Sequence, residues 1–491
     1  MPVQAVAARV EEFLRAALQP ALLHPGDQPI ALRAGSFRLQ PHSRGLLIEA
    51  WDERRTLARR ITAVESVSKG RLVLRFESFG GGNGLLELVD LQAPRAAPSL
   101  RSAARHLLRE RLRRWLGRQF PAWRVHEITA GADLENTLSP VFPRALIRRG
   151  QSAWAVLAAP SAREHCDRAL TFGLIWLDYL RRREKTPVLG LALFLPADAV
   201  AVTRLRTRHL TAPVEIFAYD DDGHEAAVDS SDNGNLIQDL PPASCTAAEP
   251  FLDHWARRVM LRGDVAAQAR HGALSLQIRG LEFARLTGGA WYAGVDSPRR
   301  AHSEADLLAA AEELAALRAP GASDRNHPWY RRQPEAWLEQ MVRSNPTAID
   351  ARLRSSPLYG QVIEWAACDR VVLDLLAIDS SGRLAVLELK ASEDPHLPIQ
   401  ALDYWIQVRH HALSGAFSQA GYFPGLTVAS LPPRLFLVAP ALYFHPSTEA
   451  ILSFFSKEVE VTRVGLAVEW QRELRVVMRA CGAMRPDRQF S

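Results

Sequence analysis

Two carboxylates and one amine stand close together in the C-terminal third of this 491-residue sequence. Asp374 interrupts an apolar run, and the next apolar run ends with Glu388 and Lys390 two positions apart. A lone buried carboxylate is costly unless something compensates its charge. Oxygen ligands of this type suit Mg²⁺ or Mn²⁺, and a lysine beside them could titrate. The three residues therefore predict a metal site with a nearby proton-transfer group.

The lysine of this group is unusual in this chain. The sequence has only four lysines among 60 cationic residues, namely Lys69, Lys185, Lys390 and Lys457. Most positions that need only positive charge are filled with arginine. An ammonium is a compact charge that can lose its proton, whereas a guanidinium stays protonated. Lys390 is therefore a candidate for chemistry that arginine cannot perform.

The two apolar runs, "VVLDLLAID" and "RLAVLELK", predict a hairpin of strands buried on both faces. Residues 380–382 between them, Ser-Ser-Gly, fit a three-residue loop with glycine in the left-handed conformation. Counting back from that loop sets Asp374 directly opposite Glu388, with Cβ atoms about 5 Å apart. The two-residue period of a strand adds Lys390 to the same face. Carboxylates this close favour a divalent cation between them.

Two flanking segments predict helices. The segment "QPEAWLEQMVRSNP" begins at a proline and carries Glu335 and Glu339 one turn apart, a like-charge pair that is unfavourable unless a cation lies nearby. The segment "LPIQALDYW" begins another helix, on which Gln400 and Tyr404 face the same way. Taken alone, either pair is also compatible with an ordinary helix surface.

A helix glutamate, an aspartate, Glu-x-Lys and Gln-x-x-x-Tyr, in this order, resemble the motifs of the PD-(D/E)xK nuclease superfamily, in particular its RecB-like and archaeal-type endonuclease branches. The resemblance covers about residues 330–480. It departs from the family motif at Leu373, where the motif has a proline before the aspartate, a proline that many members lack. It implies an α/β, restriction-endonuclease-like fold, in which a mixed sheet is flanked by helices.

The resemblance also implies an activity, the hydrolysis of DNA phosphodiester bonds in repair or antiphage defence. The implied catalytic residues are Asp374, Glu388, Lys390, Gln400 and Tyr404, and the implied ligands of Mg²⁺ or Mn²⁺ are Glu339, Asp374 and Glu388. Lys390 would orient or deprotonate the attacking water, and Gln400 and Tyr404 would support Lys390 or a DNA phosphate.

Other interpretations stay open at this point. A buried ion pair without chemistry is one, although two acids for one lysine would leave a buried charge uncompensated. A non-catalytic DNA-binding or assembly protein that keeps the fold is another, and an RNA-cleaving defence effector is a third. The partners to consider are DNA, a helicase or another repair or defence protein, and a second copy of the chain.

Composition narrows the class of protein. The net charge of +6 and the pI near 9.3 are compatible with a polyanionic partner. The four cysteines lie far apart and show no zinc-ligand spacing, which argues against a zinc ribbon and a disulfide framework. The first residues lack the basic and apolar pattern of a signal peptide, and no apolar run is long enough to span a membrane. We therefore expect a cytoplasmic protein without membrane association.

Changes in pattern along the chain predict four domains. Residues 1–96 read as a small α/β or mainly β domain, and residues 97–225 as an α/β domain. Residues 226–325 read as a connecting region with strands and a helix, and residues 326–491 as the nuclease-like domain.

The second predicted domain resembles the fourth. Residues 98–225 repeat its order of helices and strands, with local echoes that align Ala158 with Glu388 and Pro160 with Lys390. This favours an inactive nuclease-like copy that lost its metal site, the alternative being a coincidence of α/β patterning.

The first helix of this domain is rich in arginine, which is compatible with a solvated face or with binding to nucleic-acid phosphates. Its candidate nucleic-acid contacts are Arg109, Arg113 and Arg114.

Overall fold

The computed structural model describes residues 3–24, 27, 29–52, 56–77, 83–93, 96–131, 138–229, 239–243, 248, 251–270, 273–360, 364–365, 371–372 and 374–484. The chain divides into two compact units, the first formed by Met1–Ala197 with Val214–Val228 and the second by Asp198–Pro213 with Asp229–Ser491. In the described part of the chain, no helix combines the length and the apolar composition needed to cross a membrane.

The N-terminal part of the first unit is a seven-stranded antiparallel sheet with a helix packed on it. Its elements are α1 (Val3–Ala16), β1 (Pro20–Leu23), β2 (Ile30–Ala31), β3 (Phe37–His42), β4 (Gly45–Trp51), β5 (Thr56–Ser68), β6 (Arg71–Glu77) and β7 (Asn83–Asp90). The strand order is β2-β1-β7-β6-β5-β4-β3. Val6 and Val10 of α1 are buried against the apolar face of this sheet.

The remainder of the first unit is a six-stranded mixed sheet. Its elements are α2 (Ala96–Gln119), β8 (Arg124–Thr129), β9 (Arg144–Arg149), β10 (Ser152–Ala158), α3 (Arg163–Arg183), β11 (Val188–Pro196), β12 (Val214–Tyr219) and β13 (Glu225–Ala227). The order is β13-β12-β11-β10-β9-β8, in which β10, β11 and β12 are parallel and the other pairs are antiparallel. Trp115 of α2 is buried and stacks on Phe194 and Tyr219, so it belongs to the core.

The second unit begins with a helix that follows β11 and then forms a five-stranded antiparallel sheet. These elements are α4 (Val200–Thr207), α5 (His254–Met260), β14 (Val265–Arg270), β15 (Ala273–Ile278), β16 (Leu281–Thr287), β17 (Ala290–Ala293), β18 (Arg299–Arg300) and α6 (Glu304–Leu317). The strands lie in chain order across the sheet, which packs one face against α5 and α6. Residues 226–325 thus include a sheet with its own apolar core.

The C-terminal part of the second unit is a five-stranded mixed sheet. Its elements are α7 (Pro328–Arg331), α8 (Pro334–Ser344), β19 (Glu364–Trp365), β20 (Val371–Val372), β21 (Leu375–Ile378), β22 (Leu384–Leu389), α9 (Leu397–Leu413), α10 (Ala416–Gln419), β23 (Arg434–Pro440), α11 (Thr448–Leu452), β24 (Val461–Leu466) and β25 (Val476–Cys481). The order is β21-β22-β23-β24-β25, with parallel pairs β22/β23 and β23/β24. The expected mixed sheet flanked by helices is therefore present.

One predicted strand is divided. The sequence pattern predicts a single strand over residues 371–379, whereas the structure has β20 paired with β19 and β21 paired with β22. Asp374 lies at the break, where its carboxylate accepts a hydrogen bond from the backbone N–H of Leu389 at 2.7 Å. A side-chain acceptor that bonds backbone N–H groups competes with the regular strand ladder. The neighbouring Leu373 lies outside the described residues.

The two mixed sheets repeat one topology. Each begins with a helix and an antiparallel hairpin, which is β9–β10 in the first unit and β21–β22 in the second. A long helix then leads to a parallel strand, and a short helix leads to a second parallel strand. An antiparallel strand follows at the edge of each sheet. The central parallel strands end at Pro196 and Pro440, and each proline is followed by one turn of 3₁₀ helix. Agreement in strand order, direction and this local detail supports the predicted internal repeat.

Strand pairing corrects the predicted alignment of this repeat by one residue. The backbone N–H of Ala159 donates to Phe194, and the backbone N–H of Lys390 donates to Val438, at the same point beyond each hairpin. Lys390 therefore matches Ala159 instead of Pro160. By the same count Glu388 matches Leu157 instead of Ala158, because local sequence echoes do not fix strand register while backbone pairing does.

Candidate functional site

The hairpin β21–β22 is closed by the predicted three-residue loop. Gly382 has φ +84°, and a Cβ atom there would lie 2.3 Å from the carbonyl oxygen of Thr427, so only glycine fits. The carboxylate of Asp379 accepts hydrogen bonds from the backbone N–H groups of Ser381 and Arg383. These bonds fix the length of the loop, and with it the register of the two strands.

The register brings two predicted site residues together. Leu375 pairs with Leu387 at the end of the ladder, and continuing this register by one position sets Asp374 across from Glu388. Directly opposed residues of an antiparallel pair project from the same face. Lys390 shares that face, and its Nζ atom lies 3.9 Å from Oε1 of Glu388. The predicted carboxylate pair and lysine thus form one cluster at the end of β22.

Burial controls the electrostatics of this cluster. Glu388 is 1% exposed, and burial raises the pKa of its carboxyl well above the usual value, with the charge of Asp374 raising it further. Asp374 keeps some accessible surface, yet burial raises the pKa of its carboxyl to about 7. Lys390 lowers the pKa of both carboxyls but does not cancel the effect of burial. One ammonium is therefore too little positive charge for this pair.

Helix α9 places Gln400 and Tyr404 beside the carboxylates. Tyr404 is fully buried, and burial raises the pKa of its phenol, with the carboxyls of Glu388 and Asp374 adding to the rise. The side chain of Gln400, one turn earlier, acts on that pKa in the opposite direction. Among the described residues, Oε2 of Glu388 is a buried atom without a hydrogen-bond partner. Buried polar atoms without partners are rare and indicate a place for a ligand, an ion or water.

The two glutamates of α8, Glu335 and Glu339, lie near the cluster, and each also contacts residues outside it. Glu339 accepts a 2.7 Å hydrogen bond from Arg343, four residues later on the same helix. Oε1 of Glu335 is 3.4 Å from both the backbone N–H of Ala391 and the hydroxyl of Ser392, just after β22. The negative charges of both glutamates help to raise the pKa of Asp374. Arg343 was absent from the sequence-based site, although its i, i+4 spacing from Glu339 was a usable signal.

The donor set fits a small divalent cation. Among the described residues, no group of three or more His, Cys, Asp or Glu side chains is arranged to hold a metal ion. Mg²⁺, however, is commonly held by one or two carboxylates together with water and substrate phosphate oxygens. Asp374 and Glu388 supply two carboxylates, and Oε2 of Glu388 is free of hydrogen bonds. Arg343 binds Oε1 of Glu339, and Glu339 could join them through its second oxygen.

A buried ion pair supports α9 from behind. Arg206 of α4 donates to both carboxylate oxygens of Asp403 at 2.7 and 2.6 Å, and both side chains are buried. Asp403 precedes Tyr404 on the helix. Sequence analysis did not identify this pair, because the two residues are 197 positions apart.

The predicted nucleic-acid contacts on α2 belong to the first unit. Arg109 lies 3.3 Å and Arg113 3.7 Å from carboxylate oxygens of Glu110, and Arg114 is exposed. Two other arginines of this helix bind the end of the sheet: Arg111 donates to the carbonyl oxygen of Asp221 in the β12–β13 loop, and Arg118 pairs with Glu225 of β13. The face that remains open for phosphates is therefore narrower than the arginine count indicates.

The repeated sheet of the first unit has a cation where the candidate site has a carboxylate. Leu157, the equivalent of Glu388, pairs with Arg144, which thus stands in the place of Asp374. Arg144 is 4% exposed, donates to the carbonyl oxygens of Gly131 and Ser139, and lies over the ring of Trp176. A buried guanidinium in place of a carboxylate does not favour a metal cation there.

Neither a scan against protein-family models nor a search of curated proteins gives a match for this chain.

Proposed function

We propose that the chain is a metal-dependent deoxyribonuclease that hydrolyses phosphodiester bonds at Asp374, Glu388 and Lys390. One observation carries the proposal: the hairpin register sets the two carboxylates opposite each other, with the lysine Nζ 3.9 Å from Glu388 and Oε2 of that glutamate without a partner. The order of motifs, with its resemblance to PD-(D/E)xK nucleases, adds support. A role in repair or antiphage defence in the cytoplasm belongs to the same proposal.

The charges of the cluster explain why a cation is needed. Two buried carboxylates face one ammonium, so the metal-free site carries excess negative charge in a poorly hydrated place. A bound Mg²⁺ would supply Lewis acidity at the phosphate and lower the pKa of a bound water. Asp374 and Glu388 would hold that cation, with Glu339 as a further oxygen donor.

Lys390 and α9 supply the remaining functions. Lys390 is only 19% exposed in its side chain and adjoins Glu388, so its ammonium lies where it can orient a water or stabilise negative charge on a phosphate. An amine can accept a proton after losing its own, which a guanidinium cannot do at ordinary pH. Tyr404 and Gln400 interact beside the two carboxyls, and the phenol hydroxyl can donate to a water or a phosphate oxygen.

The test incubates the purified protein with Mg²⁺, Mn²⁺ or EDTA and with labelled single-stranded, duplex and branched DNA, alongside RNA. We expect metal-dependent cleavage of DNA and none in EDTA. Asp374→Asn and Glu388→Gln should abolish cleavage and also the rise in Tm that Mg²⁺ gives the wild type. Lys390→Arg should lower turnover by about 100-fold or more while DNA binding persists. Lys457→Arg, the same exchange at an exposed lysine, is the matched control.

Several outcomes would contradict the proposal. Cleavage that persists in EDTA, or full turnover in Lys390→Arg, would remove the metal or the lysine from the chemistry. Cleavage of RNA in place of DNA would favour the RNA-cleaving alternative. DNA binding without cleavage under any metal would favour the non-catalytic alternative.

A further inference from the structure

The central sheet of the second unit has one open, polar face. Its other face packs on α5 and α6 through residues such as Leu276 and Phe283. On the open face, directly paired positions form a row across all five strands. The row, in strand order, is Gln268, Ser275, Arg285, Tyr292 and Arg300. Adjacent strands are about 4.8 Å apart, so four spacings give the row a length of about 19 Å.

Three residues of the row, Gln268, Ser275 and Arg285, line a cleft between the sheet and α8. The cleft has a volume of about 950 Å³ and is lined on one side by the sheet, including Ser275 and Arg285. The opposite wall comes from α8 and the segments around it, including Glu339, Arg343 and Tyr359. The cleft therefore joins the open sheet face to Glu339, whose charge helps to raise the pKa of Asp374.

The two walls are joined by close backbone packing. Gly280, in the turn between β15 and β16, has φ +76°, and a Cβ atom there would lie 2.3 Å from the backbone of Ala336 on α8. Its backbone N–H donates to the side chain of Gln340 at 2.7 Å. The buried Arg318 donates to carbonyl oxygens on both sides, among them those of Arg279 and Gln333. Sheet and helix are thus held in one fixed arrangement.

We propose that this row and cleft bind single-stranded DNA and lead the strand to the candidate active site. The inference rests on the proposed function for the choice of DNA. Tyr292 stands between two arginines on an open face, and aromatic rings flanked by cations bind single strands through base stacking and phosphate contacts. A cleft of this volume can hold a few nucleotides of a single strand. Recognition of bases in a duplex would instead require a helix or a β-ribbon of the protein to enter a groove of the DNA.

The charges along the path are compatible with a phosphate backbone. Arg285 is paired with Glu282 on the same strand, but more than half of its side chain is exposed. Arg300 is exposed at the end of the row. In the cleft, Arg343 is paired with Glu339, and its side chain is 37% exposed.

The experiment measures binding of a short fluorescent oligothymidylate by anisotropy in EDTA, so that cleavage plays no part. Tyr292→Ala should weaken binding about 5- to 150-fold, and Tyr292→Phe should bind like the wild type, because the ring is retained. The pair Arg285→Ala and Arg300→Ala should lower the slope of log affinity against log salt by about 1.4, two contacts at about 0.7 each. Arg299→Ala is the matched control, since this exposed neighbour of Arg300 alternates to the other face.

The outcomes separate this inference from the proposed function. Unchanged binding in Tyr292→Ala and in the arginine pair, with Tm preserved, would overturn the inference while leaving any observed cleavage in place. Tighter binding of the matching duplex or of RNA would also overturn it. If the protein cleaves no substrate but its DNA binding depends on these residues, the proposed binding path would be supported and the proposed nuclease activity would be contradicted.

Discussion

Asp374 and Glu388 lie one position beyond the last pair of the β21–β22 ladder, Leu375 and Leu387, so the continued register sets them across from each other with Lys390 beside Glu388. Burial raises the pKa of both carboxyls, so the metal-free fold holds protons there more tightly than the unfolded chain does. A site that is unfavourable when empty and charged is ready to bind a cation.

The first prediction concerns stability against pH in EDTA. A carboxyl whose pKa is raised in the fold contributes stability below its unfolded value near 4, and this contribution is lost as pH rises through the folded value, about 7 for Asp374. The side chain of the Asp374→Asn variant cannot ionise. Between pH 4 and pH 8, the free energy of unfolding of this variant should therefore fall by less than that of the wild type, the difference being up to a few kcal/mol. Urea unfolding of both proteins at several pH values checks this, and equal pH dependence would contradict it. Mg²⁺ should stabilise only the wild type.

The second prediction concerns Tyr404→Phe. The buried hydroxyl interacts with the side chain of Gln400, and losing one such hydrogen bond should change Tm only slightly. Turnover should fall at least several-fold if the hydroxyl contacts a water or a phosphate. Thermal unfolding and single-turnover cleavage measure the two effects separately. A clear loss of stability with full activity would show that the hydroxyl is structural.

The third prediction concerns Arg343→Ala. The exposed fractions of the Arg343 and Glu339 side chains are 37% and 16%, so their pair contributes at most about 1 kcal/mol. Removal of the arginine frees Glu339 and should tighten Mn²⁺ binding by up to about five-fold. Calorimetric titration measures this. Arg182→Ala, which breaks a similar i, i+4 pair with Asp178, is the control, and weaker Mn²⁺ binding in Arg343→Ala would contradict the idea.

The fourth prediction concerns the buried pair of Arg206 and Asp403. Arg206→Met leaves the carboxylate of Asp403 without its guanidinium and should destabilise the protein by about 3–5 kcal/mol. The double variant Arg206→Met with Asp403→Leu should recover much of that loss, because no unpaired charge stays buried. Denaturant unfolding gives both values. Equal losses in the single and double variants would mean that packing, and not charge, determines the cost.

The arginine-rich helix α2 gives a fifth prediction. Replacing Arg109, Arg113 and Arg114 by Ala should weaken binding to all DNA sequences alike and flatten its salt dependence, if the helix binds phosphates. Binding and slope that stay unchanged at matched salt would identify this surface as solvated. Ion pairing of Arg109 and Arg113 with Glu110 makes Arg114 the residue whose single replacement should matter most.

Local sequence patterns were sufficient for the elements of the candidate site. The helix predicted from Pro334 to Asn345 is α8, and the loop of residues 380–382 closes the hairpin as expected. Proline, glycine and apolar periodicity act over a few residues, so their effects are visible in the chain itself. The prediction of a single strand over residues 371–379 was wrong, because β20 and β21 are separate strands. Asp374 lies between them, and its carboxylate accepts a hydrogen bond from the backbone N–H of Leu389.

The sequence alone determined which residues could form a carboxylate and lysine cluster, since strand period and loop length set Asp374, Glu388 and Lys390 on one face. Only the tertiary structure decided what surrounds them. The pairing of Glu339 with Arg343, the free oxygen of Glu388 and the cleft along the central sheet depend on contacts between elements distant in the chain. Such contacts arise from packing of whole faces, and local propensity carries no information about them.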